Sequence, residues 1–122
     1  MMKSIPVWKQ ELSDGVHAAR LASLYCCAPA ETASEAARYA AVLDGLEKTF
    51  GSHAEAGLYS APGRTEIGGN HTDHQHGRVL AGSVNIDMIA AAAPNDKNQL
   101  RVQSEGYDLC VIDLNDLEAR KE

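Results

Sequence analysis

The sequence predicts an α+β chain in which N-terminal helices lead into a mixed or antiparallel sheet. Three observations carry that prediction. A helically periodic run with a capping signal fills residues 32–50. The helical period then disappears where Gly57, Gly63, Gly68, Gly69, Gly77 and Gly82 cluster, and short apolar runs separated by turn residues follow up to residue 114. The 122 residues, 44% hydrophobic and 23% charged, have the size and balance of one folded domain. Within it, a helical lead-in over 1–50 precedes a strand-rich part over 51–122.

Taken in order, residues 1–10 form a poorly patterned arm. Ser13 and Asp14 offer N-caps for a first helix, with Val16, Arg20 and Leu24 recurring on one side. Thr32-Ala33-Ser34-Glu35 reads as a capping box for a second helix. Tyr39, Val42, Leu43, Leu46 and Phe50 form its core-facing stripe, and Gly51 stops it. Residues 58–61 predict a short strand ending at Pro62, and residues 78–93 a longer strand broken near Gly82. Turn residues 95–98 and 105–108 bracket an alternating strand over 100–104, and 109–114 returns as its antiparallel partner. The acidic end, 115–122, reads as solvated and frayed.

Eleven Lys and Arg against seventeen Asp and Glu leave a formal charge of −6. That balance argues against nucleic-acid and anionic-membrane partners, which clustered basic residues attract. The apolar stretch at 86–93 is interrupted by Asp87 and is far shorter than a membrane span, and no secretory leader opens the chain, so a cytoplasmic protein is expected. The three cysteines, Cys26, Cys27 and Cys110, fit neither a disulfide framework nor a zinc pattern and read as buried free thiols.

The chemistry concentrates in Ala61-Pro62-Gly63-Arg64-Thr65-Glu66-Ile67-Gly68-Gly69-Asn70-His71-Thr72-Asp73-His74-Gln75-His76-Gly77-Arg78-Val79-Leu80. Here polar groups crowd a glycine-rich segment between apolar ones, and glycine lets backbone approach a ligand closely. Asp73 offers two acceptors to vicinal hydroxyls, Asn70 both donor and acceptor, His71 either by tautomer, and Arg64 a permanently charged donor fork. Residue chemistry alone leaves three readings open: a site for a small polar organic ligand, a metal site from His71, Asp73, His74 and His76, or a polar turn with solvated histidines. A P-loop is excluded, because no GxxxxGK[ST] pattern is present.

In Pro62-Gly63-Arg64, Ile67 to Gly69, His71-Thr72-Asp73, Gly77 and Val79-Leu80, all in register, the segment resembles the galactokinase signature of the GHMP small-molecule kinase family. The resemblance extends over roughly residues 50–114; the first 50 residues match only in helical character. It implies the first part of the GHMP kinase N-terminal domain, contributing to a sugar pocket. The implied activity is phosphorylation of a monosaccharide, galactose or a relative, at the anomeric hydroxyl by ATP. Carried over by position, Arg64 resembles the catalytic arginine and Asp73 the carboxylate that grips two ring hydroxyls. His71 matches a residue near the exocyclic hydroxyl, and Gly77 a turn glycine.

Several positions depart from the pattern. Asn70 stands where the family has a glutamate that accepts from the exocyclic hydroxyl, which removes charge-assisted strength from that contact. His74 replaces a tyrosine, Glu66 stands where asparagine is usual, and Ala81 where proline is usual; His74 and Glu66 are further candidate contacts. In the family, the nucleotide phosphate loop, a magnesium-binding residue and a catalytic aspartate follow the segment matched here. ATP and Mg2+ are therefore expected in a complete enzyme and not on this chain alone, which is expected to be inactive by itself. The expected partners are a monosaccharide and either the remaining kinase portion or a second copy joined through exposed strand edges. A noncatalytic sugar-binding or regulatory module is the alternative, and a metal-binding His/Asp loop the third reading.

Overall fold

The computed structural model describes residues 1–69, 74 and 76–118. They form an α+β arrangement of two compact units, Met1–Ala92 and Ala93–Glu122. The order in the first unit is β1 (Met2–Lys3), α1 (Ile5–Ser13), α2 (Ala18–Tyr25), a 3-10 turn (Pro29–Glu31), α3 (Ala33–Phe50), β2 (Ala56–Gly68) and β3 (Leu80–Ala92). The second unit holds β4 (Gln99–Val102) and β5 (Cys110–Asp113). All strand pairings are antiparallel: β1-β2-β3 in one sheet and β4-β5 in the other.

The expected N-terminal arm is a helix. Ile5, Trp8 and Leu12 fall three and four residues apart and are all buried, and Pro6 lies in the first turn, where its missing N–H costs nothing. The Trp8 indole Nε1 donates to the Ala56 carbonyl at 2.8 Å and ties α1 to the start of β2. Ser13 and Asp14 close α1 instead of opening the next helix: the Asp14 N–H donates to the Gln10 carbonyl at 2.9 Å. The chain then turns through Gly15, at φ 71, into α2. Leu21, Ala22 and Tyr25 face inward there, whereas Val16 and Leu24 of the expected stripe are exposed.

Helix α3 follows the expected bounds, ends at Gly51 and buries Tyr39, Leu43 and Leu46, with Val42 and Phe50 half-buried. Its expected capping box does not form. The Thr32 hydroxyl donates back to the Pro29 carbonyl at 2.8 Å, and Glu35 pairs with Arg38. One turn earlier, the Glu31 carboxylate accepts from the Ala28 N–H at 2.9 Å. The core of the first unit lies where α1 and β3 pack against α3. Ile5 and Leu43 are its most deeply enclosed large side chains.

The expected short strand ending at Pro62 instead continues as β2 to Gly68, and β3 runs through Gly82 without a break. Proline is tolerated because β1 reaches only Ala56 and Gly57, so at Pro62 strand β2 is partnered on one side alone. Register shifts between Pro62 and Arg64 and between Glu66 and Gly68 take up the irregularity the sequence placed at Gly82.

In the second unit the expected hairpin forms, with Leu100 opposite Ile112 and Arg101 opposite Val111. The Asn95 side chain accepts from the Lys97 N–H at 2.9 Å and shapes the preceding turn. The cysteines are free but not buried: Cys26 and Cys110 are exposed and Cys27 is half-buried. Cys26 occupies the left-handed position (φ 54) that ends α2, which turns its side chain off the packed face. Among the described residues no helix is long and apolar enough to cross a membrane.

Candidate functional site

Along the inner half, where residues 57–62 face residues 87–92, β3 packs against α3; beyond it the same two strands continue as an exposed two-stranded ribbon. Side chains alternate along the inner half. Leu58, Ser60, Asp87, Ile89 and Ala91 are half-buried, and Tyr59, Ala61, Met88 and Ala90 face outward. Residues 61–68 are exposed throughout.

Arg64 lies on this projecting part, opposite Ser83, with its side chain 73% exposed. Glu66, two residues on and therefore on the same face, accepts from the Arg64 guanidinium at 3.4 Å. An exposed pair of this kind adds little stability, about 0–1 kcal/mol, and leaves the guanidinium open to a better anionic partner. Glu66 is thus the neighbour of the candidate catalytic arginine, a proximity the i, i+2 spacing encodes once the segment is known to be extended.

At the ribbon's end, Gly69 adopts φ 81, and a Cβ there would lie 2.1 Å from the Arg78 carbonyl oxygen. Only glycine fits this close approach, which holds residues 69 and 78 together at the two ends of the polar segment. Of that segment, His74, His76 and Gly77 are exposed, and His76 adopts the left-handed conformation at φ 59. Asn70, His71 and Asp73, the candidate sugar contacts, lie outside the described residues. Two of the four donors of the metal reading, His71 and Asp73, fall there too. Among the described residues, no group of His, Cys, Asp or Glu side chains converges to hold a metal ion.

A second polar cluster, not singled out as a site from the sequence, lies at the root of the ribbon. Asp87 of β3, opposite Pro62, has a side chain only 3% exposed. Its Oδ2 accepts from the Tyr25 hydroxyl at 2.6 Å and from the Ser60 hydroxyl at 2.5 Å, and its Oδ1 from the Arg38 guanidinium at 3.1 Å. The Tyr25 and Tyr39 hydroxyls lie 3.1 Å apart, and Arg38 also pairs with Glu35 and lies over the Tyr25 ring.

Burial by itself raises the Asp87 pKa. The hydrogen bonds from Ser60, Tyr25 and Arg38, with the Arg38 charge, outweigh it and hold the carboxyl below its ordinary value. Burial and the bond to Asp87 push the Tyr25 phenol up. The only trace of this cluster in the sequence is an acidic residue interrupting an apolar strand. Such a residue must be paired or lie at an edge, and its partners are 27 to 62 residues away in the chain.

Comparison with known proteins places these observations in one family context. Residues 46–94 match the galactokinase galactose-binding signature. The chain is 36% identical over 81 residues to the galactokinase of Ligilactobacillus salivarius, covering 64% of this chain and 21% of that protein. It is 33% identical over 74 residues to the galactokinase of Lacticaseibacillus casei, 60% of this chain and 19% of the relative. For the Streptococcus suis galactokinase the identity is 34% over 71 residues, 56% and 18%. The chain thus resembles a galactokinase N-terminal portion, and it spans about a fifth of the length of these curated relatives. No solved structure matches it.

Proposed function

We propose that this chain, whose residues 46–94 carry the galactokinase galactose-binding signature, supplies the sugar-binding portion of a galactokinase-like kinase that phosphorylates galactose or a close relative at its anomeric hydroxyl. The observation that supports this above all is the coincidence of signature and architecture: the matched stretch contains the whole ribbon, with Arg64 on its exposed part and the polar segment at its closed end. Residues 61–68 of the projecting part are exposed, so their polar side chains face solvent where a ligand can reach them.

In this reading Asp73 accepts from two neighbouring ring hydroxyls, charge-assisted bonds that fix the ring's orientation. His71 and Asn70 contact the exocyclic hydroxyl, the amide of Asn70 giving a weaker acceptor than the family's glutamate. Arg64 holds a neighbouring carboxylate ionised and stabilises negative charge developing on the sugar oxygen. ATP with Mg2+ supplies the phosphoryl group when bound. In this reading the nucleotide and the metal are held by kinase polypeptide outside the matched segment.

The remaining kinase polypeptide is the partner proposed for the ribbon. The support is its exposed apolar side chains, Ile86 and Ile67 at 76% and 68% exposure, continued on the inner half by Met88 and Tyr59, in an otherwise acidic chain. A cytoplasmic location accords with this activity. Calorimetric titration with galactose and its epimers tests the proposal. Saturable heat with galactose, at an affinity that Asp73→Asn lowers, is expected; the absence of heat with any monosaccharide overturns it.

A further inference from the structure

At the root of the ribbon, on the rung where Asp87 faces Pro62, one carboxylate gathers three elements. Asp87 on β3 receives Ser60 from β2, Tyr25 from the end of α2 and Arg38 from α3, with Tyr39 and Glu35 of α3 completing the set of titratable groups around it. Inward of this rung the sheet is covered by α3; outward of it residues 61–68 are exposed. The first register shift, between Pro62 and Arg64, begins at the same rung. The Tyr25 and Arg38 bonds to Asp87 tie the strands to α2 and α3 where the described residues of β2 become exposed, so the ribbon's direction is set here.

A carboxylate is a costly way to fill such a position. An apolar side chain would bury with less desolvation, and in some proteins buried polar groups of this kind specify one arrangement among several. Lever arithmetic shows what that arrangement controls. At about 3.3 Å per strand residue, Arg64 stands roughly 7 Å beyond Pro62 and Gly68 roughly 20 Å beyond it. A tilt of about 10° at the root therefore moves Arg64 by roughly 1 Å and the end of the ribbon by roughly 3 Å, more than the ~0.5 Å a binding constellation tolerates.

We propose that Asp87 is a positioning residue for the signature segment: by drawing Ser60, Tyr25 and Arg38 onto one carboxylate, it fixes the angle at which the ribbon carrying Arg64 leaves the helices. The effect on sugar binding rests on the galactose reading; the effect on the ribbon does not.

The test uses the full chain with Asp87→Asn, which keeps the shape and removes the charge, and with the paired change Tyr25→Phe, Ser60→Ala, which removes two donors and leaves the carboxylate. Amide hydrogen exchange is followed along β2, β3 and α3, and galactose affinity by calorimetry. In both variants exchange is expected to rise from Arg64 to Gly68 and from Leu80 to Ser83, while α3 keeps its protection. Galactose affinity is expected to fall roughly tenfold, about what one hydrogen bond to a charged group is worth.

Ribbon exchange unchanged in both variants, or rising equally in α3, overturns the proposal, the latter because it marks a merely structural role. Should Asp87→Asn fail to fold, the paired variant decides by the same criterion. If the unaltered protein gives no heat with galactose, the functional proposal fails while the exchange pattern still decides the positioning role.

Discussion

Inward of Pro62, β3 packs against α3, Ala56 of β2 is buried and the Asp87 carboxylate is partnered from three elements; outward of it, the same two strands carry Ile67, Leu80 and Arg64 into solvent. One pair of strands thus contains a half that holds the fold and a half that the fold merely carries. The inner half is constrained by packing, where each removed methylene is felt. The outer half is constrained by backbone, through the register shifts and the Gly69 approach to Arg78, and by whatever it binds. A substitution's effect should therefore depend on which side of Pro62 it falls.

The largest contrast is expected in the core against the ribbon. Leu43→Ala removes a side chain with 0% exposure and should cost about 2–5 kcal/mol, whereas Ile67→Ala should stay within about 0.5 kcal/mol, both read from denaturant midpoints. Equal losses would break the division between the halves. Next, Asp73→Asn should weaken galactose binding by about 1.5–3 kcal/mol, the worth of hydrogen bonds to a charged group, with the unfolding midpoint unmoved. Gly69→Ala forces a Cβ onto the Arg78 carbonyl at φ 81 and should add about 1–3 kcal/mol of local strain. Its signature is faster exchange at Gly68 and Leu80 with α3 unaffected.

Smaller effects sharpen the comparison further. Asn70→Glu restores a charged acceptor and should tighten galactose binding by about 1 kcal/mol; weaker binding would remove Asn70 from the sugar contacts. The pH dependence follows from Asp87, whose carboxyl in the folded chain titrates below the ordinary 3.8. Its contribution to stability is complete above that value and is lost as pH falls through the lower folded one. Glu11, lowered by its bonds to Lys3 and His17, acts in the same direction. Asp87→Asn should flatten the acid limb of a stability-versus-pH curve, and an unchanged limb would show that the carboxylate is not held ionised.

The sequence made α3 legible because its stripe is long, periodic and closed by Gly51. It hid α1, where only Ile5, Trp8 and Leu12 carry the period and the Trp8 anchor, Ala56, is 48 residues away. The sequence signals a short β2 because Pro62 and Gly63 are local breakers. What overrides them is that, among the described residues, β2 has one neighbour strand at that point and not two, a tertiary fact. The signature residues were visible by type and spacing, and the comparisons matched the stretch that contains them. The Asp87 cluster was not visible, since its donors come from three separate elements and only folding brings them to one carboxylate.

The central claim is that the outer ribbon and its polar segment bind a galactose-like sugar. Backbone amide chemical shifts of the full chain, followed by nuclear magnetic resonance during galactose titration, test it residue by residue. The account predicts saturable shifts concentrated in residues 61–80, with α1 and α3 unmoved. Shifts confined to the helices, or no change at any galactose concentration, would contradict it.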